Sequence, residues 1–495
     1  MSTMILAAAA VLLSADFTQE AVPFRRELHS TGSGPTICSC PQEYIEDLRS
    51  MGFKASRTHD WALINPGQRV CDYFHIFPLM HLDAKDPANY VFGPTDYLLK
   101  RTREEVGHDI FFRLGTSIEH SGNKVHFNAV IPEDFDKVAE TFAATVRHYN
   151  RGWADGFHWG IKYWEIWNEP NLKTAMWFLP GGDEAKDGDK EEQARRDAKR
   201  RDLFVKFFVT VLKRLKSEFP DIKVGGPAFC WWDEPYARAL FDGCRATGVE
   251  PDFLSWHRYS ENPAEFLEQT EAARALCDEY GFKKCELIIN EWHYFGRSDY
   301  DWEMLRSPDP EIVAKIWSGP RSHNGIDSSC FNLAVLSQFQ TSKLDQAYYY
   351  GCKSTGAWGY MDEHKRKFKV FYGLQLFGRF ANGYAKLCAA TGLDPADESV
   401  VTVLAGKSAD GRKQALLVAD YRVRTDCLVV DVKGVPADAK VTATVHDYTR
   451  DLAPADFTFE NGRLTLRKPD CESAAFLVEF EPHAGADGAA AAHRD

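Results

Sequence analysis

The chain has 495 residues, 44% of them hydrophobic and 26% charged, a globular balance that excludes wholesale disorder. A net charge of −13 argues against nucleic acid or another polyanion as partner, and no apolar run reaches the length of a membrane-spanning helix. The twelve cysteines form no CxxC pairs or Cys/His ladders of zinc-binding spacing.

The N-terminus, "MSTMILAAAAVLLSAD", has an apolar run and small residues but no positively charged start. A cytoplasmic location is therefore expected, with export as the alternative. The same residues also suit a short β-strand. From about residue 21, short apolar strands alternate with amphipathic helices. The strand candidates are 21–28, 54–60, 110–115, 161–169, 222–227, 252–257, 286–291 and 346–351. Between them run helical patterns such as "PEDFDKVAETFAATVRHYN" and "RRDLFVKFFVTVLKRLKSEF". Eight βα units in order predict an α/β fold, a (β/α)8 TIM barrel, with an open doubly wound sheet as the alternative. Two connections exceed ordinary loop length, 61–97 and 171–200. The first is rich in aromatics and is expected to shape a pocket wall; the second ends in a charge run that suits a solvated helix start.

After about 395 the pattern changes to short strands such as "QALLVADY" and "AAFLVEF", separated by turns such as "ADG" and "ENG". This predicts an accessory antiparallel β-sandwich. The expected division is a barrel over 18–394, a sandwich over 1–17 plus 395–484, and a disordered tail over 485–495.

Catalytic groups on such a barrel sit at the C-terminal ends of its strands. Those ends carry Arg57 and His59, then Asn168 and Glu169, then His257 and Tyr259, then Glu291; Trp358 follows in "GAWGYMDEH". Two glutamates ending two strands suit glycoside hydrolysis, in which one carboxyl protonates the leaving oxygen and the other attacks the anomeric carbon. The two must hold different protonation states. Glu169 is expected among Trp164, Trp167 and Pro170, where desolvation keeps it protonated. Glu291 is expected to stay ionised beside Arg57 and Tyr259. Glu165, sharing parity with Trp167, is expected inside the barrel, paired with an arginine. Single histidines without an HxH pair speak against a metal-dependent enzyme, so no cofactor and no metal are expected.

The segments "WEIWNEPNL" and "IINEWHYF" resemble the acid/base and nucleophile motifs of glycoside hydrolase family 39, in clan A. "FKASRTHD", "DYFHIFPL", "VGGPAF" and "FLSWHRYS" are similar to further strands of that family, so the likeness covers nearly the whole chain. The resemblance implies Glu169 as acid/base and Glu291 as nucleophile. It also implies that Asn168 contacts the sugar 2-hydroxyl and that Arg57, His59, His257, Tyr259 and Trp358 line the terminal sugar subsite. The implied activity is retaining and exo-acting on β-linked oligosaccharides or glycosides, β-xylosidase first. Alternatives are another sugar specificity (α-L-iduronidase, β-glucosidase, β-galactosidase or arabinosidase) or a noncatalytic sugar-binding barrel. "NEWHYF" departs from the "NDEADP" style of the iduronidases and from the "TEYN" style of the xylosidases.

Overall fold

A computed structural model describes residues 11–32, 34–35, 42–61, 70–117, 130–172, 177–179, 189–351, 358–362, 364–396, 398–468 and 472–482. Residues 1–10 and the expected tail at 485–495 lie outside them. Eight parallel strands close into a barrel. They are β1 Ser30–Thr31, β2 Ala55–Arg57, β3 Asp109–Leu114 and β4 Tyr163–Ile166, then β5 Lys223–Phe229, β6 Phe253–Ser260, β7 Glu286–Tyr294 and β8 Gln346–Tyr349. β8 closes on β1 through the pairs Tyr348 with Ser30 and Tyr349 with Thr31.

Helices cover the barrel where apolar residues recur at helical spacing. In Phe135–Arg151 the buried stripe is Val138, Phe142, Val146 and Tyr149; Asp134 caps its start by accepting from the Lys137 amide, and left-handed Gly152 ends it. The charge run at 189–200 opens the long helix Lys190–Glu218, capped by Asp189, and most of it is solvated before Phe204, Phe207 and Phe208 turn inward. The described aromatics of the long 61–97 connection mostly join the core: Tyr73 packs on Phe142, and Phe92 stacks on His148.

One strand expectation fails. Residues 21–28 do not form the first barrel strand. Val22–Pro23 pairs with the second sheet, Arg26–Leu28 turns as a 3-10 helix, and the barrel begins only at Ser30. Arg25 accounts for this, because its guanidinium donates to the Ser342 and Leu344 carbonyls before β8 and needs the chain to bend there.

The barrel interior is layered. Ala55, Phe111, Phe253, Ile288 and Tyr348 fill its N-terminal end, with Tyr163 against them. Two residues further along the same strands, alternation brings Arg57, Arg113, Glu165 and Ser255 inward, with Asn290 on β7. All five are fully buried, so the polar chemistry begins inside the barrel, beneath its mouth.

The second sheet runs Ala453–Pro454, Lys440–His446, Ala474–Glu481, Gln414–Tyr421, Ser399–Lys407, Lys386–Thr391, Val11–Asp16, Cys427–Lys433, Arg463–Arg467, Phe457–Glu460. Neighbours are antiparallel except Val11–Asp16 with Cys427–Lys433, which are parallel. The sheet curls so that Leu13, Leu416, Val418, Leu428, Val430, Phe476 and Val478 share one core. The alternate residues Leu417, Ala419, Tyr421 and Leu477 belong to the barrel's core. That double burial explains the unbroken apolar run of "QALLVADY". The sheet takes in Lys386–Thr391 and Val22–Pro23, which the expected division had placed in the barrel.

Among the described residues, no helix is long and apolar enough to cross a membrane.

Candidate active site

Two irregularities build the site at the C-terminal mouth. β4 stops at Ile166, and Trp167 and Glu169 adopt left-handed backbone, φ 74° and 48°, conformations uncommon outside glycine and concentrated at functional sites. Glycines on both neighbouring strands make room for this turn: a Cβ on Gly115 would lie 2.9 Å from the Trp167 ring, and one on Gly226 would lie 2.8 Å from the Ile166 carbonyl. The second irregularity is in β7. Its register with β6 slips, Trp256 opposing Ile289 and His257 opposing Glu291, so Asn290 is the extra residue of a bulge. Strict alternation would send either Asn290 or Glu291 outward, whereas the bulge turns both inward.

Asn290 and Ser255 each donate to Oε1 of Glu165 at 2.7 Å, and Arg57 Nε donates to its Oε2 at 2.7 Å. Glu165 is thus the anchor that holds Arg57. The other arms of that guanidinium reach upward, to Oε1 of Glu291 at 2.8 Å and to Oδ1 of Asn168 at 2.7 Å. Tyr259 donates to Oε2 of Glu291 at 2.8 Å. His59 Nε2 stands 3.5 Å from the other oxygen. His257 Nδ1 lies between the glutamates, 2.9 Å from Glu169 and 3.3 Å from Glu291.

Burial pushes both carboxyls above the usual range, Glu169 to about 7. The donors then sort them. Glu291 receives one arm of the Arg57 guanidinium, whose charge it shares with Glu165, and a phenol hydroxyl, both of which favour its ionised form. Glu169 receives a thiol hydrogen bond from Cys230, and Asp60 opposes its charge. These contacts favour the ionised form of Glu291 more than that of Glu169. Burial holds His257 down to about 4 and His59 well below its ordinary value, so both rings are neutral near pH 7.

Four polar atoms of the cluster are left over. Glu169 Oε2, Asn168 Nδ2, His257 Nε2 and His59 Nδ1 are buried and have no hydrogen-bond partner among the described residues. Such atoms are costly unless a ligand or water meets them. Trp358 lies 5.4 Å from Tyr259, 5.7 Å from Tyr350 and 5.8 Å from Trp302, ring to ring, and forms one aromatic wall with them. Ligand atoms of Glu169, His257 and Glu291 all lie within 4.8 Å of one another, close enough for a metal ion, but a cation there would sit against the Arg57 charge already bound to Glu291.

All eight residues singled out from the sequence converge here: Arg57, His59, Asn168, Glu169, His257, Tyr259, Glu291 and Trp358. The surroundings of Glu169 differ from expectation. Trp164 points outward by the alternation that turns Tyr163 and Glu165 inward, and stacks on Phe112; left-handed Trp167 breaks the parity assumed for it and packs on Trp177 and Phe207. The desolvation of Glu169 comes from its burial, at 6% exposure. Cys230, Asp60 and Tyr350, whose hydroxyl donates to Asp60 at 2.8 Å, were not singled out. Asp60 directly follows His59 and Tyr350 lies near the end of the segment read as 346–351, so the strand-end rule reaches both; Cys230 follows Phe229 at the end of β5, three residues beyond the expected 222–227.

No family model matches the chain. It is 27% identical over 295 residues to a β-xylosidase from Geobacillus stearothermophilus, covering 53% of this chain and 52% of that protein. It is 27% identical over 221 residues to a β-xylosidase from Caldicellulosiruptor saccharolyticus, covering 42% and 37%. The match thus spans about half the length of the first of these relatives and less of the second. Among solved structures, a glucosidase from Croceicoccus marinus superposes with a TM-score of 0.71 at 20% identity, over 96% of this chain and all of that one. An α-L-arabinofuranosidase from Thermotoga maritima gives 0.60 at 14% identity, over 95% and 99%. At these identities the structural likeness is one of fold.

Proposed function

We propose that the chain is a clan A glycoside hydrolase that works with retention of configuration, by double displacement. The observation that carries this reading is the pair of glutamates at the barrel mouth, with one oxygen of each within 4.8 Å of the other. Retaining enzymes hold their carboxyls about 5–5.5 Å apart, and inverting ones about 6.5–9.5 Å apart to admit a water.

In this mechanism protonated Glu169 gives its proton to the leaving glycosidic oxygen as ionised Glu291 attacks the anomeric carbon. The leaving group departs as an alcohol and a glycosyl ester forms on Glu291. Glu169, now a carboxylate, takes a proton from water, and the water displaces Glu291. Arg57 and Tyr259 keep Glu291 ionised and oriented. The unpartnered Nδ2 of Asn168 is placed to donate to the 2-hydroxyl, a contact that strengthens in the transition state. Tyr259 and Trp358 face the sugar, and neutral His59 and His257 offer ring nitrogens to its hydroxyls.

Exo-acting β-xylosidase activity is the first substrate proposal, supported by the two β-xylosidase relatives. The test is hydrolysis of aryl β-xyloside, α-L-arabinoside, β-glucoside, β-galactoside and iduronide by the wild type, Glu169→Ala and Glu291→Ala, with azide added to each variant. Turnover of one sugar is expected, lost in both variants and rescued by azide with opposite anomers of the glycosyl azide. Equal turnover by all three proteins would overturn the assignment of the two glutamates.

A further inference from the structure

The aromatic wall of the site is tied to a residue outside the barrel. Tyr421 ends the strand Gln414–Tyr421 of the second sheet, and Arg422 follows it with left-handed backbone, φ 60°. Its side chain is 13% exposed and reaches three barrel groups at once. Nε donates to Oδ2 of Asp327 at 2.9 Å, Nη1 to Oε2 of Glu261 at 3.1 Å, and Nη2 to the Tyr294 hydroxyl at 2.9 Å. Ser473, just before the sheet strand Ala474–Glu481, donates to the other oxygen of Asp327 at 2.7 Å. Tyr421 donates to the Glu261 backbone carbonyl at 2.9 Å.

Glu261 passes this connection on to the mouth. Its carboxylate accepts from the Ser298 amide at 2.6 Å and the Ser298 hydroxyl at 2.7 Å. Ser298 belongs to the turn leading to Trp302. That ring stacks on Phe295 at 4.3 Å and meets Tyr259 at 5.5 Å and Trp358 at 5.8 Å. Glu261 also follows Tyr259 by two residues at the end of β6. Trp302 is 41% exposed and cannot be held by burial alone. The carboxylate of Glu261, 8% exposed in its side chain, is bound by Arg422 and by both donors of Ser298, and removing Arg422 takes away its buried ion-pair partner.

We propose that Arg422 is a positioning residue for the substrate pocket: through Glu261 and Ser298 it fixes the turn that carries Trp302 and so sets the aromatic wall facing the sugar. The second sheet then takes part in substrate binding without touching substrate. This rests on the glycosidase reading for its kinetic consequence but not for its structural one.

The experiment compares wild type, Arg422→Met, Arg422→Lys and a control, Lys413→Met, which breaks an exposed pair with Glu481 in the same sheet. Hydrogen exchange is followed on peptides covering 258–262 and 295–303, and kcat and KM on the best glycoside of the panel. In Arg422→Met, faster exchange is expected in those two segments, with the rest of the barrel unchanged. KM is expected to rise about tenfold with kcat within about twofold, the pattern of lost ground-state binding. Arg422→Lys restores the charge but not the three-way fork, so a partial return is expected. Unchanged exchange in 295–303, or an equal KM shift in Lys413→Met, overturns the proposal. Should Arg422→Met unfold the chain, Ser298→Ala cuts the same connection from the turn side; faster exchange there supports the proposal and unchanged exchange overturns it. If no glycoside is turned over by the wild type, the glycosidase reading falls, while the exchange result still decides whether Arg422 holds the wall.

Discussion

Nδ1 of His257 stands 2.9 Å from Glu169 and 3.3 Å from Glu291, so one neutral ring nitrogen serves both glutamates. With His257 held down to about 4 by burial, that contact adds no positive charge between them. The protonation of the pair is set instead by Arg57 and Tyr259 on one side and by the closed, acidic surroundings of Glu169 on the other.

The pH profile of kcat/KM should therefore be a bell whose basic limb belongs to Glu169. The acid must be protonated to act, and burial raises it to about 7, so activity is expected to fall as pH rises through about 7. In Glu169→Gln, assayed with a leaving group acidic enough to need no proton, the basic limb should vanish. A limb unchanged in that variant would assign it to another group.

The same shift has a stability consequence. A group whose folded value is raised from 4.5 to about 7 favours the folded state fully below its ordinary value, and that contribution is lost as pH rises through the folded value. Near pH 8 the buried carboxylate then costs on the order of 3 kcal/mol. Glu169→Gln should unfold at a higher denaturant concentration than wild type at pH 8 and at a similar one at pH 4. Active-site groups commonly carry such a penalty. Equal midpoints at pH 8 would mean that Glu169 ionises there without cost.

Arg57 is the mechanical centre of the site. It bonds Glu165, Glu291 and Asn168 with three different nitrogens while itself fully buried. Arg57→Met leaves two buried carboxylates without their counter-charge, a loss of about 3–5 kcal/mol. Arg57→Lys keeps the charge but cannot span three diverging acceptors. Both variants are expected to show lowered denaturant midpoints and activity reduced by about a hundredfold or more. Wild-type stability in Arg57→Met would show that the carboxylates take up protons freely in its absence.

The strand-end rule made most of this site legible, because charged and aromatic residues that close short apolar strands stand out in sequence. Arg57, Asn168, Glu169, His257, Tyr259 and Glu291 all carry that signal. The irregular backbone was hidden. Nothing in "IINEWHYF" marks Asn290 as a bulge, since the slip is fixed by β7's pairing with β6. Nothing in "EIWNEP" marks Trp167 as left-handed, since the space for it comes from Gly115 and Gly226 on neighbouring strands. The first barrel strand was misplaced for a similar reason. Arg25 bends residues 21–28 away from the barrel through contacts more than three hundred positions downstream, and local periodicity carries no trace of them.

Tyr259 supplies the finest test of how Glu291 is kept ionised. Its hydroxyl donates to Oε2 of Glu291 at 2.8 Å, opposite the oxygen that Arg57 holds. Tyr259→Phe removes that donor and leaves the ring against Trp302 and Trp358, so the wall and its packing persist. A hydrogen bond to a charged group contributes about 1.5–3 kcal/mol, and its loss should raise the Glu291 pKa further. Glu291 must be ionised to attack, so the acid limb of kcat/KM should move to higher pH. The basic limb, set by Glu169, should stay near its wild-type position. Activity at the optimum should fall about 10- to 100-fold as the two limbs close on each other and the nucleophile loses its orientation. A profile lowered in height with both limbs in place would mean that Tyr259 orients Glu291 without setting its charge, leaving Arg57 alone to keep the nucleophile ionised.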